Sequence, residues 1–101
     1  MLAEFSVVPL DKRESLSKYV SQILDIVDNS GLEYKLTPMG TVVEGEWDEV
    51  MSMIKKCHHH MREHSNRVDT RIAIDDREGA EDRIKGKIES VESKLGKKLK
   101  K

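Results

Sequence analysis

The sequence predicts an α+β fold in which two helices cover one face of a four-stranded antiparallel sheet. Three observations carry that prediction. Apolar residues alternate with period two near residues 2–8 and 67–76, as in half-buried strands. They recur at helical spacing over two longer runs, near 15–30 and 46–64, as in amphipathic helices. Between those runs lie two short strand-like segments, 34–37 and 41–44, around a Pro38-Met39-Gly40 turn.

The first strand is expected over Leu2–Val8, with Phe5 and Val7 on one side, Glu4 and Ser6 on the other, and Pro9 ending it. The first helix is expected from about Ser15 to Ser30. Leu16, Tyr19, Val20, Ile23, Leu24 and Val27 form its apolar face, Ser15 is its N-cap and Gly31 its stop. Strands two and three form the hairpin, where Pro38 belongs at a strand end and Gly40 supplies a turn conformation.

The second helix is expected from Glu46 or Trp47 to His64. Its stripe is Trp47, Val50, Met51, Ile54, Cys57, His58 and Met61, and acidic residues favour the positive end of its dipole. The fourth strand is expected over Arg67–Asp76, with Val68, Thr70, Ile72 and Ile74 facing one way. Glu4, Ser6, Asp69, Arg71 and Asp75 then lie on the face away from the helices. A third helix is expected over about Gly79–Leu99, on a stripe of Ile84, Ile88, Val91, Leu95 and Leu99, with a fraying lysine-rich end. The order βαββαβ is the ferredoxin-like pattern. At 101 residues it makes a single domain, 1–101, with a core of about 1–77 and a C-terminal helix of about 79–99.

Composition narrows the function. Charged residues make up 37% of the chain but leave a net charge of −1, which argues against a nucleic-acid binder. One Phe, one Trp and two Tyr offer few stacking platforms. No apolar run is long enough to span a membrane, and the first residues read as a strand and not as a signal peptide. The single cysteine, Cys57, excludes an internal disulfide and fits a reducing cytoplasm. The modest core of so short a chain favours self-association.

Glu44 is the first candidate for a site, because a carboxylate at the end of an apolar, hydroxylated strand needs a partner. It shares a side with Val42. If Val42 faces the helices, Glu44 does too, near the start of the second helix, while Thr41 faces away. Glu44 then either accepts the free N–H groups of that helix or orients an amino-bearing ligand, with Thr37, Met39 and Thr41 on the rim. The Ser6–Pro9 strand end lines a cleft with the hairpin or forms part of a polar open face.

His58, His59 and His60 point about 100° apart on a helix and do not converge on one ion. His60 and His64 share a face, without a third ligand expected on that helix, so no metal site is assigned. Arg67, Arg71 and Arg77 alternate with Asp69, Asp75 and Asp76, as in structural ion pairs. No nucleophile–base arrangement or phosphate-binding glycine motif is present.

Four segments carry a family resemblance: E-F-S-V-V-P-L (4–10), S-G-L-E-Y-K-L (30–36), P-M-G-T-V-V-E-G-E (38–46) and R-V-D-T-R-I-A-I-D-D-R (67–77). The chain resembles the thiamine-binding protein family over nearly its whole length. The resemblance implies a ferredoxin-like fold, a homotetramer built as a dimer of dimers, and non-catalytic binding of thiamine or a related pyrimidine. No cofactor is required. Carried over by motif, the positions are Ser6, Pro9, Met39, Gly40, Thr41 and Glu44, with Tyr34 and Trp47 as aromatic candidates for stacking. In that picture Glu44, Thr41 or Ser6 meets the edges of an aminopyrimidine, and Met39 and Trp47 cover its faces.

The expectation is therefore a cytoplasmic, oligomeric small-molecule binder acting as carrier, buffer or sensor. The competing reading is an assembly module without a ligand. An enzyme using Glu44 with His58 is a weaker third.

Overall fold

A computed structural model describes residues 1–12, 16–79 and 83–99. The elements are β1 (Leu2–Pro9), α1 (Leu16–Asn29), β2 (Glu33–Thr37), β3 (Gly40–Glu44), α2 (Trp47–His64), β4 (Val68–Asp75) and α3 (Arg83–Leu95). The strands form one antiparallel sheet in the order β2-β3-β1-β4. Central β1 pairs with β4 along its full length and continues through Pro9, which sits opposite Val68. The strand therefore outruns its expected stop. The anticipated Ser15 cap lies outside the described residues.

Alternation along β1 sets the two faces. Ala3, Phe5, Val7 and Pro9 are buried, whereas Glu4 and Val8 are exposed. Against that inner row pack Ile23 and Val27 of α1 and Val50, Met53, Ile54, Cys57 and Met61 of α2. Met53 joins this core although it lies off the expected stripe, while Trp47 remains 52% exposed at the start of α2. Burying a side chain the size of Val43 or Met61 contributes roughly 1.5–3 kcal/mol.

The facing of β3 is opposite to the expectation. Thr41 and Val43 are buried on the helix side, opposite Phe5 and Ala3. Val42 and Glu44 lie on the open face, opposite Glu4 and Leu2. Two adjacent valines offer the helices one apolar residue in either parity. The register against β1 decides between them.

Gly40 also serves another purpose than expected. Positive φ occurs at Gly31, Gly79 and Gly96, not at Gly40. A side chain at Gly40 would bring its Cβ to 2.9 Å from the Phe5 carbonyl oxygen, so glycine lets β3 approach β1. α3, described over Arg83–Leu95, ends before the expected Leu99, and Gly79 is left-handed at φ 75°. At its other end Gly96, at φ 70°, closes the helix, with the Gly96 and Lys97 N–H groups donating to the Glu92 carbonyl.

Candidate ligand-binding groove

The β1–β3 ladder ends at the Phe5–Thr41 pair, while β1 continues to Pro9 with β4 alone beside it. Where the ladder stops, a groove of about 370 Å³ opens between α1 and the β2–β3 hairpin. The Phe5–Val8 stretch forms its floor. Val20, Ile23 and Leu24 form one wall, and the Leu36–Thr41 turn forms the other. Every described residue lining it is uncharged. Val8, Val20, Leu36 and Met39 are exposed apolar side chains at its rim, Met39 at 83%. Its size and its apolar lining with few polar groups are those of a small-molecule site. A second depression of about 410 Å³ between α1 and α2 is lined by Asp25, Glu49 and Lys56 among others. It is a charged valley that includes none of the hairpin turn.

Polar chemistry in the groove concentrates on Thr41. The Thr37 hydroxyl is fully used: it donates to the Gly40 carbonyl at 2.8 Å and accepts from the Met39 and Gly40 N–H groups at 3.2 and 3.1 Å. A hydroxyl has one proton and two lone pairs, so Thr37 builds the turn and offers the groove its methyl group. Thr41 is 7% exposed and lines the same groove. Its hydroxyl has no hydrogen-bond partner among the described residues, and no side-chain N or O atom among them is both fully buried and unpartnered. The Thr41 hydroxyl thus opens on the groove, where a ligand can meet it.

Of the expected site residues, the structure brings Ser6, Thr37, Met39, Gly40 and Thr41 to this groove. Ser6 enters through the strand: its side chain falls in the open-face row with Arg71. Pro9 is buried farther along β1, and Trp47 stands at the start of α2. The Tyr34 hydroxyl donates to Asp28 Oδ1 at 2.6 Å, and that bond holds its proton above the usual phenol range.

Glu44 lies on the opposite face of the sheet from Thr41, contrary to the expectation that it faces the helices. Both its oxygens accept from the Arg83 N–H at 2.9 Å, and Oε1 also accepts from Ile84 N at 3.3 Å. A carboxylate does meet free helix N–H groups, but those of α3 and not of α2. The α1 wall and Leu36 escaped the sequence reading. Their available signal was an apolar face on α1 too broad for full burial, and Leu16 and Val20 are 42% and 45% exposed.

The histidines divide as well. His58 Nδ1 bonds the Thr70 hydroxyl at 2.6 Å, and His60 Nε2 bonds Gln22 Oε1 at 2.7 Å. His60 and His64 do have a third donor on their helix, since the Glu63 carboxylate converges with them.

Comparison with known proteins bears on what the groove is for. The family model described as thiamine-binding protein matches residues 3–92. The chain belongs to the thiamine-binding protein family. A UPF0045 protein of Methanocaldococcus jannaschii is 33% identical over 90% of this chain and 91% of its own. The Bacillus subtilis UPF0045 protein YqgV is 32% identical over 93% and 96%. The crystal structure of the M. jannaschii protein superposes with a TM-score of 0.82, covering 89% of this chain and 93% of that one. A Thermotoga maritima protein, described provisionally as serving thiamine biosynthesis or salvage, superposes with a TM-score of 0.79 at 23% identity, covering 89% and 96%. At that identity it speaks to the fold alone. The family's ferredoxin-like architecture and the third helix are thus both present. No helix among the described residues is long and apolar enough to cross a membrane.

Proposed function

We propose that the protein binds thiamine or a related aminopyrimidine, without converting it, in the groove between α1 and the β2–β3 hairpin. Membership of the thiamine-binding family supports the ligand class. The single observation that carries the location is the free Thr41 hydroxyl on the hairpin wall of an apolar-rimmed groove whose described lining is uncharged. A flat, neutral aminopyrimidine suits that lining, with its edge on Thr41 and its faces against Leu36, Met39 and Val20. The thiazolium cation stays toward solvent, since burying an unpaired charge is costly. Among the described residues the groove's polar groups are hydroxyls and backbone with no acid–base pair beside them, which favours carriage, buffering or sensing in the cytoplasm over catalysis.

Self-association belongs to the same reading, as a homotetramer made of two dimers. Val91 and Leu95 of α3 are 47% and 54% exposed, and Ile72 and Ile74 of edge strand β4 are 38% and 39% exposed. Apolar side chains clustered on an edge strand and a terminal helix are suited to burial between copies. Native mass spectrometry reads the assembly and any retained small molecule together.

Calorimetry with thiamine on wild type and Thr41→Val tests the site. The expected result is saturable binding by wild type and about tenfold weaker binding by the variant, the worth of one hydrogen bond. Equal affinity of the two, or no binding by wild type, overturns the assignment.

A further inference from the structure

His60, Glu63 and His64 stand at i, i+3 and i+4 near the C-terminal end of α2, so their side chains share one face of the helix. One ligand atom from each lies within 4.8 Å of the other two. The His60 and His64 rings are 4.9 Å apart, centre to centre. Two histidines one turn apart are a recurrent zinc-binding arrangement on a helix. The His60–Gln22 bond supplies an independent second observation. With the Gln22 amide oxygen as partner, the bond suits the tautomer that carries its proton on Nε2 and leaves the Nδ1 lone pair to a metal. An orienting hydrogen bond on the far nitrogen is what metal-bound histidines usually have.

We propose that His60, Glu63 and His64 form a divalent transition-metal site of the zinc class, with Gln22 of α1 as a positioning residue. Two imidazole nitrogens and one carboxylate oxygen make a donor set suited to Zn²⁺, and water completes the coordination. Donors on one tetrahedral zinc sit about 3.4 Å apart, so the three must draw closer. Glu63 and His64 are exposed and have the rotamer freedom to do so. Other candidate donors nearby are occupied or withdrawn. His58 is engaged by Thr70, and Cys57 is fully buried with its thiol pushed up to about 11. The site would clamp the last turn of α2 and, through Gln22, its contact with α1. It is independent of the ligand groove, since no residue is common to the two.

Calorimetric titration of ZnCl₂ into chelator-stripped full-length protein tests the site, with thermal melting alongside. One equivalent should bind saturably and raise Tm. His64→Ala and Glu63→Gln should each weaken binding by at least about tenfold. Gln22→Met should also weaken it, within the roughly 10–100-fold range of outer-shell partners. His59→Ala, which alters the exposed neighbour outside the cluster, should bind as wild type does. The proposal is overturned if wild type shows no saturable binding, if His64→Ala and Glu63→Gln bind undiminished, or if His59→Ala loses as much as they do. Because His64 and Glu63 are exposed, their variants report on binding even if the half-buried His60 tolerates no change.

Discussion

Both carboxylate oxygens of Glu44 accept the backbone N–H of Arg83, each at 2.9 Å, and so fasten the start of α3 to the end of β3. The Arg83 guanidinium returns the grip: it bonds the Asp75 carbonyl at 3.0 Å and the Asp75 carboxylate at 2.5 Å. Glu44 and Asp75 flank Leu2 in one row across the sheet, so a single helix start is held from two strands. Replacing Glu44 by Gln removes the charge from the helix N-terminus. The expected cost is about 0.3–1 kcal/mol, concentrated in faster amide exchange of α3, with thiamine affinity unchanged. A loss of affinity matching a direct ligand contact would contradict this assignment.

Gly40 permits the close approach of β3 to β1. Gly40→Ala places a methyl group against the Phe5 backbone, which has little room to yield. The expected destabilisation is about 1–3 kcal/mol, measured by urea denaturation, with ligand binding weakened as the hairpin shifts.

Cys57 has no solvent exposure, and burial raises its thiol to about 11. The thiolate is the reactive form. In folded protein at pH 8, a thiol reagent should label Cys57 only through opening of the core. Labelling should therefore slow with any stabilising ligand. Rapid labelling, as for a free thiol, would place Cys57 at the surface.

Asp11 joins the end of β1 to the α2–β4 connection. Its Oδ1 accepts from the Ser65 hydroxyl, and its Oδ2 from the Asn66 N–H at 2.9 Å. The Ser65 bond first, and then that of Asn66, hold its carboxyl below the ordinary range. A depressed folded-state value adds stability above the unfolded value, and that stability is lost as pH falls through the folded one. The contribution should therefore be intact at neutral pH and fade below about pH 4. Asp11→Asn should flatten that part of the acid-unfolding curve.

Much of the fold was legible because β1, β4 and α2 carry unambiguous periods. Phe5 and Val7, or Ile72 and Ile74, can share only one face, and α2 runs from Trp47 to His64 as its stripe predicts. β3 was not legible alone. Val42 and Val43 satisfy either parity, and only the Phe5–Thr41 register turns Thr41 inward and Glu44 outward. Alternation along the strand already set Thr41 and Glu44 on opposite faces; the inversion exchanges the two, so that Thr41 and not Glu44 reaches the helix side. Thr37, read as a rim hydroxyl, is consumed by its own turn, a local bond that composition does not reveal. The α1 wall was hidden because an exposed Val20 and a buried Ile23 look alike in a stripe.

Chemical-shift mapping of backbone amides during a thiamine titration tests the central claim most directly. Perturbations should centre on Phe5–Val8, Val20, Leu36 and Met39–Thr41, leaving Glu44 and α3 unmoved. Perturbations centred on Glu44, Arg83 and the open face, or none at saturating thiamine, would contradict the groove as the binding site.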